Sequence, residues 1–205
     1  MPRPVDKDAR RQDVAAALLR IAARDGLAAV SMRTVAAEAG FSLGAVQRYF
    51  RSKDEMLRFA LDLAVSGARD RLGGIAVGPG RLSFPEGLRQ ALLAFLPTDE
   101  QRLAEARIWI AFYAEAAVSQ EFAEVIGALD AEARTRLGRA LAAAAEAGDI
   151  APDQDLEAVA ELILVLIDGL LTAAARHRPG ASLAPQRAAI DAAVAALTRS
   201  PDGEC

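Results

Sequence analysis

Residues 31–50, SMRTVAAEAGFSLGAVQRYF, constrain the fold more than any other stretch, because they encode two short helices parted by a single tight turn. Ser31 is placed to cap the first helix, and Met32, Val35, Ala36 and Ala39 recur at helical spacing along one face. Gly40 follows the last of them and supplies the left-handed backbone that ends a helix, while Ser42 opens the second. In that second helix Leu43, Val46 and Phe50 share a face that must pack on the rest of the domain. Gly44, Ala45 and Arg48 then look outward, with Gln47 and Tyr49 at the boundary between faces. Such a pair is a helix-turn-helix, an arrangement that lays its second helix in the major groove of double-stranded DNA.

The residue types suit that task. Arginine and glutamine each make two hydrogen bonds to one base edge, so Arg48 and Gln47, with Leu43 and Ala45, are the base-facing candidates. Ser42, Gly44 and Ala45 are small enough to let the backbone approach closely. Arg33, Thr34, Tyr49 and Lys53 are the candidates for positioning phosphates, Lys53 from within the capping box Ser52-Lys53-Asp54-Glu55 that opens a further helix.

Across residues 8–68 the chain resembles the tetracycline-repressor (TetR/AcrR) family of bacterial regulators. The resemblance is carried by Arg11, Val14, Leu18 and Ala22 in a first helix at 8–24, then Asp25-Gly26, Val35-Ala36, Ala39-Gly40, Ser42, Gly44, Tyr49-Phe50 and Ser52-Lys53. It implies an all-α protein: three amino-terminal DNA-binding helices at 8–68, a fourth helix linking onward, and a larger ligand-binding and dimerisation domain at 69–205. One position departs, because the family often has tyrosine where this chain has Gln47. The Val-Gln-Arg-Tyr-Phe version at 46–50 is similar to the branch with a BetI-type carboxy-terminal domain.

Charge is divided the same way. Residues 1–53 hold ten Lys and Arg against five Asp and Glu, a net of +5, which leaves −9 for the remainder of a chain whose total is −4. A basic head on an acidic body is what displacement of phosphate counterions requires. The amino-terminal arm, 1–7, carries Arg3 and Lys7 and reads as a loose end.

Composition removes other classes. The single histidine, His177, leaves no set of ligands for zinc and no histidine relay; it reads as the last turn of a helix, before Pro179-Gly180. Gly73-Gly74 and Gly78-Pro79-Gly80 lack the strand and lysine of a phosphate-binding loop and read as linker. The one cysteine, Cys205, forms no internal disulfide. No apolar leader opens the chain, and the run 162–171 is too short for a membrane span. The expectation is a cytoplasmic protein with no enzyme activity, cofactor, metal or membrane partner.

After a linking helix at 52–72 and a glycine- and proline-rich loop at 73–83, helical patterns are expected at 84–96, 99–117, 119–147, 152–177 and 185–198, with Pro97, Gly148, Pro152, Pro179 and Pro185 as punctuation. Ile108, Trp109, Phe112, Tyr113 and Ala116 give one helix an aromatic face, joined by Phe95, Phe122 and Leu166. By the resemblance these helices surround a ligand cavity, so Phe95, Trp109, Phe112, Tyr113 and Leu166 are the candidate ligand contacts for a small-molecule effector. The last two helices are apolar on most sides, and by the same resemblance they form a four-helix homodimer interface, for which Leu162, Leu170, Ala173, Ile190, Val194 and Leu197 are the candidates. The expected function is that of a dimeric repressor released from a palindromic operator by a small molecule. Two alternatives stay open: an activator of the same fold, and a helical enzyme or carrier using Glu115, Glu161 and Asp168, although no base and nucleophile are paired.

Overall fold

The computed structural model describes residues 4–198 other than 79, 152 and 179. Arg3 of the arm, the helix breakers Pro152 and Pro179, and Cys205 lie outside the described residues. Among those described, the chain is all-helical: α1 (Pro4–Asp25), α2 (Met32–Ala39), α3 (Leu43–Tyr49), α4 (Lys53–Gly73), α5 (Phe84–Leu93), α6 (Glu100–Ala116), α7 (Gln120–Ala147), α8 (Leu156–Ala175) and α9 (Ala184–Leu197). A short 3-10 turn, Leu27–Ala29, was not foreseen, and neither was an isolated bridge between Val77 and Leu82 that closes the loop after α4.

Several boundaries moved for local reasons. The first helix begins at Pro4 rather than near Asp8, a proline being well suited to an opening turn that leaves its N–H unpaired anyway. The next-to-last helix begins at Leu156 rather than 152, because the Asp155 carboxylate accepts the free N–H groups of Glu157 and Ala158 at 3.0 and 3.1 Å. It ends at Ala175, so His177 lies past the helix and not in its last turn; its own N–H reaches back to the Ala174 carbonyl. The apolar run at 162–171 therefore belongs to a 20-residue helix that is long and apolar enough to cross a membrane, with one third of its apolar window buried in the chain.

Two principal cores organise the molecule. The amino-terminal one gathers Val14, Leu18 and Ile21 of α1, Val35 of α2, Val46 and Phe50 around α3, and Met56, Leu57 and Leu61 of α4. It does not stop at α4, because Ile108 and Phe112 of α6 and Phe122 of α7 are buried in the same cluster. Phe112 and Phe122 stack with centroids 6.2 Å apart. The second core is built by Phe84, Leu88 and Leu92 of α5, Leu141 of α7, Ile163 and Leu170 of α8, and Ile190, Val194 and Leu197 of α9. Ion pairs add further ties between α4 and the body: Arg58 with Glu121, Arg69 with Glu132, and Arg71 with Glu105 at 2.8 Å.

Candidate functional site

The turn between α2 and α3 is held at each step by a local cap. The Ser31 hydroxyl accepts the Thr34 N–H at 3.1 Å while Thr34 Oγ1 accepts the Ser31 N–H at 2.9 Å. Gly40 takes φ 71° and ends α2, a conformation that costs a residue bearing a Cβ about 1 kcal/mol or more. Ser42 then caps α3 through the Ala45 N–H at 3.1 Å, and Ser52 caps α4 through the Glu55 N–H at 3.0 Å. Behind this turn Arg11 of α1 lies over Phe50 and Phe59, at 4.9 and 4.6 Å from the ring centroids, and pairs with Glu55 at 3.5 Å. The pitch of α3 is thus fixed from below as well as at its ends.

On the outer side of α3, Gly44, Gln47 and Arg48 are exposed at helical spacing i, i+3 and i+4. Ala45 and Leu43 are half-buried, so Leu43 divides its surface between the core and the outer face. Gly44 has an ordinary helical backbone, and a Cβ built on it would meet nothing in the chain within 4 Å. Nothing within the fold requires a glycine there, although glycine inside a helix costs about 1 kcal/mol relative to alanine.

The phosphate candidates fare unevenly. Arg33 is exposed, and among the described residues neither it, Arg48 nor Arg51 is engaged in an ion pair; Arg51 is a further exposed cation that helical periodicity missed, because it falls after α3 has ended. Arg20 and Arg24 are drawn instead to Glu38, whose carboxyl they hold below its usual range. Thr34 is exposed, but its hydroxyl lies 2.9 Å from the Ala29 carbonyl and within the α2 cap, which makes it first a structural residue. Tyr49 is half-buried against the core, and the Lys53 ammonium reaches the Leu27 carbonyl at 3.4 Å.

A cavity of about 580 Å³ lies in the body. Its walls are the second half of α4 (Val65, Ala68, Arg69, Leu72), the loop at Ile75 and Val77, α5, the Trp109 and Tyr113 side of α6, and the facing sides of α7 and α8. Trp109 and Tyr113 stand with centroids 6.0 Å apart, tilted by 51°. The Tyr113 hydroxyl donates to Asp168 Oδ1 at 3.1 Å; burial and that carboxylate together push the phenol well above its usual pKa. Gly87 of α5 makes room for the loop: a Cβ there would sit 2.2 Å from Val77.

Of the five candidate ligand contacts, Phe95, Trp109 and Tyr113 line this cavity. Phe112 does not. It points the other way from the same helix and is fully buried in the amino-terminal core. Leu166 packs against the second core and is absent from the cavity lining. The missed lining residues include Asp130 and the charged turn 132–136; Asp130 sits in a polar stretch of α7 that no apolar pattern marks. Glu161 and Asp168 do reach the cavity, whereas Glu115 is not among its lining residues.

The dimer candidates also divide. Leu170, Ile190, Val194 and Leu197 are 4, 0, 7 and 7 % exposed, so they hold α8 and α9 to their own chain and leave little surface for another. Ala173 is half-buried. Leu162 is 54 % exposed, and its neighbour one turn on, Val165, is 58 % exposed. Together with exposed Ala158, Gly169 and Thr172 of α8, and Ala188, Ala192 and Ala196 of α9, they make the uncovered small and apolar surface of the helix pair.

Comparison with known proteins agrees with both halves. Residues 14–59 match the model of bacterial regulatory proteins of the tetR family, and residues 85–199 match that of the BetI-type transcriptional repressor carboxy-terminal domain. The HTH-type transcriptional regulator PksA of Bacillus subtilis is 40 % identical over 116 residues, a match that spans 57 % of this chain and only 56 % of that protein. A transcriptional regulator from Rhodococcus sp. has a crystal structure 34 % identical to this chain, with TM-score 0.79 over 91 % of this chain and 95 % of that one. A regulator from Saccharomonospora viridis, crystallised in complex with choline, shares the fold at 22 % identity, with TM-score 0.74 over 90 % and 95 % of the two chains. An exposed face on a capped α3, a cavity in the helical body behind it and these matches in both halves lead to one conclusion: the chain belongs to the tetR family of transcriptional regulators, with a BetI-type carboxy-terminal half.

Proposed function

We propose that the protein is a dimeric repressor that binds a palindromic operator through α3 and is released when a small molecule enters the body cavity. The observation that carries this reading is the physical continuity between the two sites. α4 buries Met56, Leu57 and Leu61 in the head and lines the cavity with Val65, Ala68 and Leu72; α6 buries Ile108 and Phe112 in the head and lines the cavity with Trp109 and Tyr113. A ligand that displaces the cavity side of either helix moves groups packed in the DNA-binding core. Affinity for DNA then falls by the ligand's preference for the shifted conformer.

On this reading residues 8–68 form the DNA-binding unit and 69–205 the ligand-binding and dimerisation unit. Gln47 and Arg48 read base edges, Gly44 admits the backbone of DNA, and Arg33, Arg51 and Lys53 meet phosphates. Two copies joined through the exposed face of α8 and α9 set their α3 helices for half-sites about 34–36 Å apart, or a multiple of that. A twin helix pair suits the uncovered face of α8 better than lipid does, since Glu161 and Asp168 are also exposed on that helix and charge at mid-membrane is costly. The place of action is the cytoplasm, where the operator lies. The choline complex of the Saccharomonospora regulator supports a small-molecule effector for this fold.

The test is binding to DNA from upstream of the protein's own coding region, by fluorescence anisotropy across a salt series, against scrambled duplex of equal length. Tight, salt-sensitive binding with strong preference for the upstream fragment is expected. Weak, equal binding to both duplexes, with no site enriched by random-sequence selection, overturns the reading.

A further inference from the structure

Arg11 of α1 carries a charge that packing does not explain. It is half-buried, whereas Arg10, Arg20 and Arg24 of the same helix are exposed. Its guanidinium lies over Phe50 and Phe59, at 4.9 and 4.6 Å, and those two rings meet edge-on with centroids 5.6 Å apart. Attraction between a cation and the ring faces favours that seat, but the Arg11 Nε–H is buried there with no hydrogen-bond partner, which opposes it. A methionine would cover the same rings and leave no N–H unpaired. What the charge does is hold Glu55, whose Oε1 lies 3.5 Å from Arg11 Nη2. The other oxygen of that carboxylate, Oε2, accepts the Arg51 N–H at 2.8 Å. Glu55 is itself fixed at the opening of α4, where its N–H donates to Ser52 Oγ at 3.0 Å. One carboxylate therefore ties α1 to the junction between α3 and α4, and the tie ends on Arg51, whose side chain faces solvent and, among the described residues, is in no ion pair.

Resting on the reading of Arg51 as a phosphate contact, we infer that Arg11 is a positioning residue for DNA binding, acting from behind α3 without touching the duplex. By holding Glu55 it pins the Arg51 N–H, and with it the direction in which the Arg51 side chain leaves the junction. An arginine suits the place because its flat guanidinium stacks on the rings and still presents an N–H edge to the carboxylate, which a compact ammonium does less well. Without that cation the Glu55 carboxylate loses its ion-pair partner and turns toward water, and the Arg51 N–H is released. The junction then holds Arg51 in no single direction, so its phosphate contact has to be ordered at each binding event, at an entropic cost.

The experiment follows binding of the full-length protein to labelled duplex from upstream of its own coding region, by anisotropy across a salt series. It compares Arg11→Met, Glu55→Ala and Arg51→Ala with the double variants that join Arg51→Ala to each of the first two. Thermal melts establish folding, and hydrogen exchange read by mass spectrometry reports on the amides of segment 50–53. Arg11→Met and Glu55→Ala are each expected to weaken binding about three- to ten-fold, to lower the slope against log salt by about one, and to speed exchange in that segment. In the Arg51→Ala background neither is expected to cause a further loss, because the contact they position is already gone. A merely structural role would weaken binding whether or not Arg51 is present. Unchanged affinity in the folded variants, or losses that add to that of Arg51→Ala, overturns the inference. If Arg11→Met does not fold, Glu55→Ala decides, since it leaves the rings and the core intact. A wild-type protein with no specific binding to the upstream duplex, or to any duplex enriched by random-sequence selection, overturns the repressor reading and the inference together. Specific wild-type binding that Arg11→Met and Glu55→Ala leave untouched removes the inference alone.

Discussion

The head and the body are both helical and both largely apolar inside, yet one is filled and the other is hollow. Val14, Leu18, Val46, Phe50 and Met56 are fully buried around the helix-turn-helix, whereas the body arranges α5 to α8 and the end of α4 around about 580 Å³ of space. A close-packed core transmits displacement and resists deformation. A hollow one can be reshaped by what fills it. The difference meets in α6, where Ile108 and Phe112 belong to the filled core while Trp109 and Tyr113, one residue along from each, face the hollow. The lesson is that the same helix serves as wall of the sensor and as wedge of the reader.

Breaking that wedge gives the largest expected effect. Phe112→Ala should lower stability by about 3–5 kcal/mol in urea unfolding, because it empties a sealed core, whereas Trp109→Ala should cost less than half as much and change ligand binding instead. Equal losses for the two would erase the distinction between filled and hollow faces. Next, Arg48→Ala should cost about 1–3 kcal/mol in operator affinity by anisotropy and relax specificity at one base pair, with the melting temperature unchanged. Gly87→Ala sharpens the view of the hollow: the new methyl must push Val77 aside, costing about 1–3 kcal/mol of stability and altering ligand affinity without touching DNA affinity in the absence of ligand. Gly44→Ala should do the opposite in the head, raising stability by about 0.5–1 kcal/mol while weakening DNA binding, since space for its Cβ is open in the protein alone.

The smallest effect is one of pH. The raised pKa of Asp130, faced by Asp168 and Glu161 of α8 and by Arg134 and Tyr113, means that it takes up a proton sooner than a free aspartate as pH falls. Trp109 fluorescence should therefore change on acidification through that raised range, because both residues line the cavity, and Asp130→Asn should flatten the profile. In stability, a carboxyl with a raised folded pKa favours the folded state at the acid side and loses that contribution as pH rises through the range.

Much of the head was legible from residue order, because its determinants are local. Ser31, Gly40, Ser42 and Ser52 do in the structure what their spacing implies, each meeting a backbone N–H or turn within a few residues. The outward direction of Gly44 and Arg48 also follows from helical periodicity alone. Thr34 shows where this stops: its role as half of a capping box competes with a phosphate contact, and only the hydrogen bonds reveal which way its hydroxyl is turned. In the body, apolar periodicity identified helices without saying what each face would touch. Phe112 and Tyr113 are equivalent members of one aromatic stripe by sequence, and the fold sends one into the head and the other into the cavity. Ile190, Val194 and Leu197 look like an interface stripe until they are seen buried in the second core, where α9 packs against α5.

The sequence by itself determined the helices, their caps, the basic head and the helix-turn-helix, since these depend on contacts between residues a few positions apart. The tertiary structure alone decided which apolar residues became core, cavity or uncovered surface, and it alone brought Arg69 to Glu132 and Arg134 to Glu161. The reason is physical: burial and charge pairing depend on which helices lie against one another, and periodicity along one helix carries no record of its neighbours.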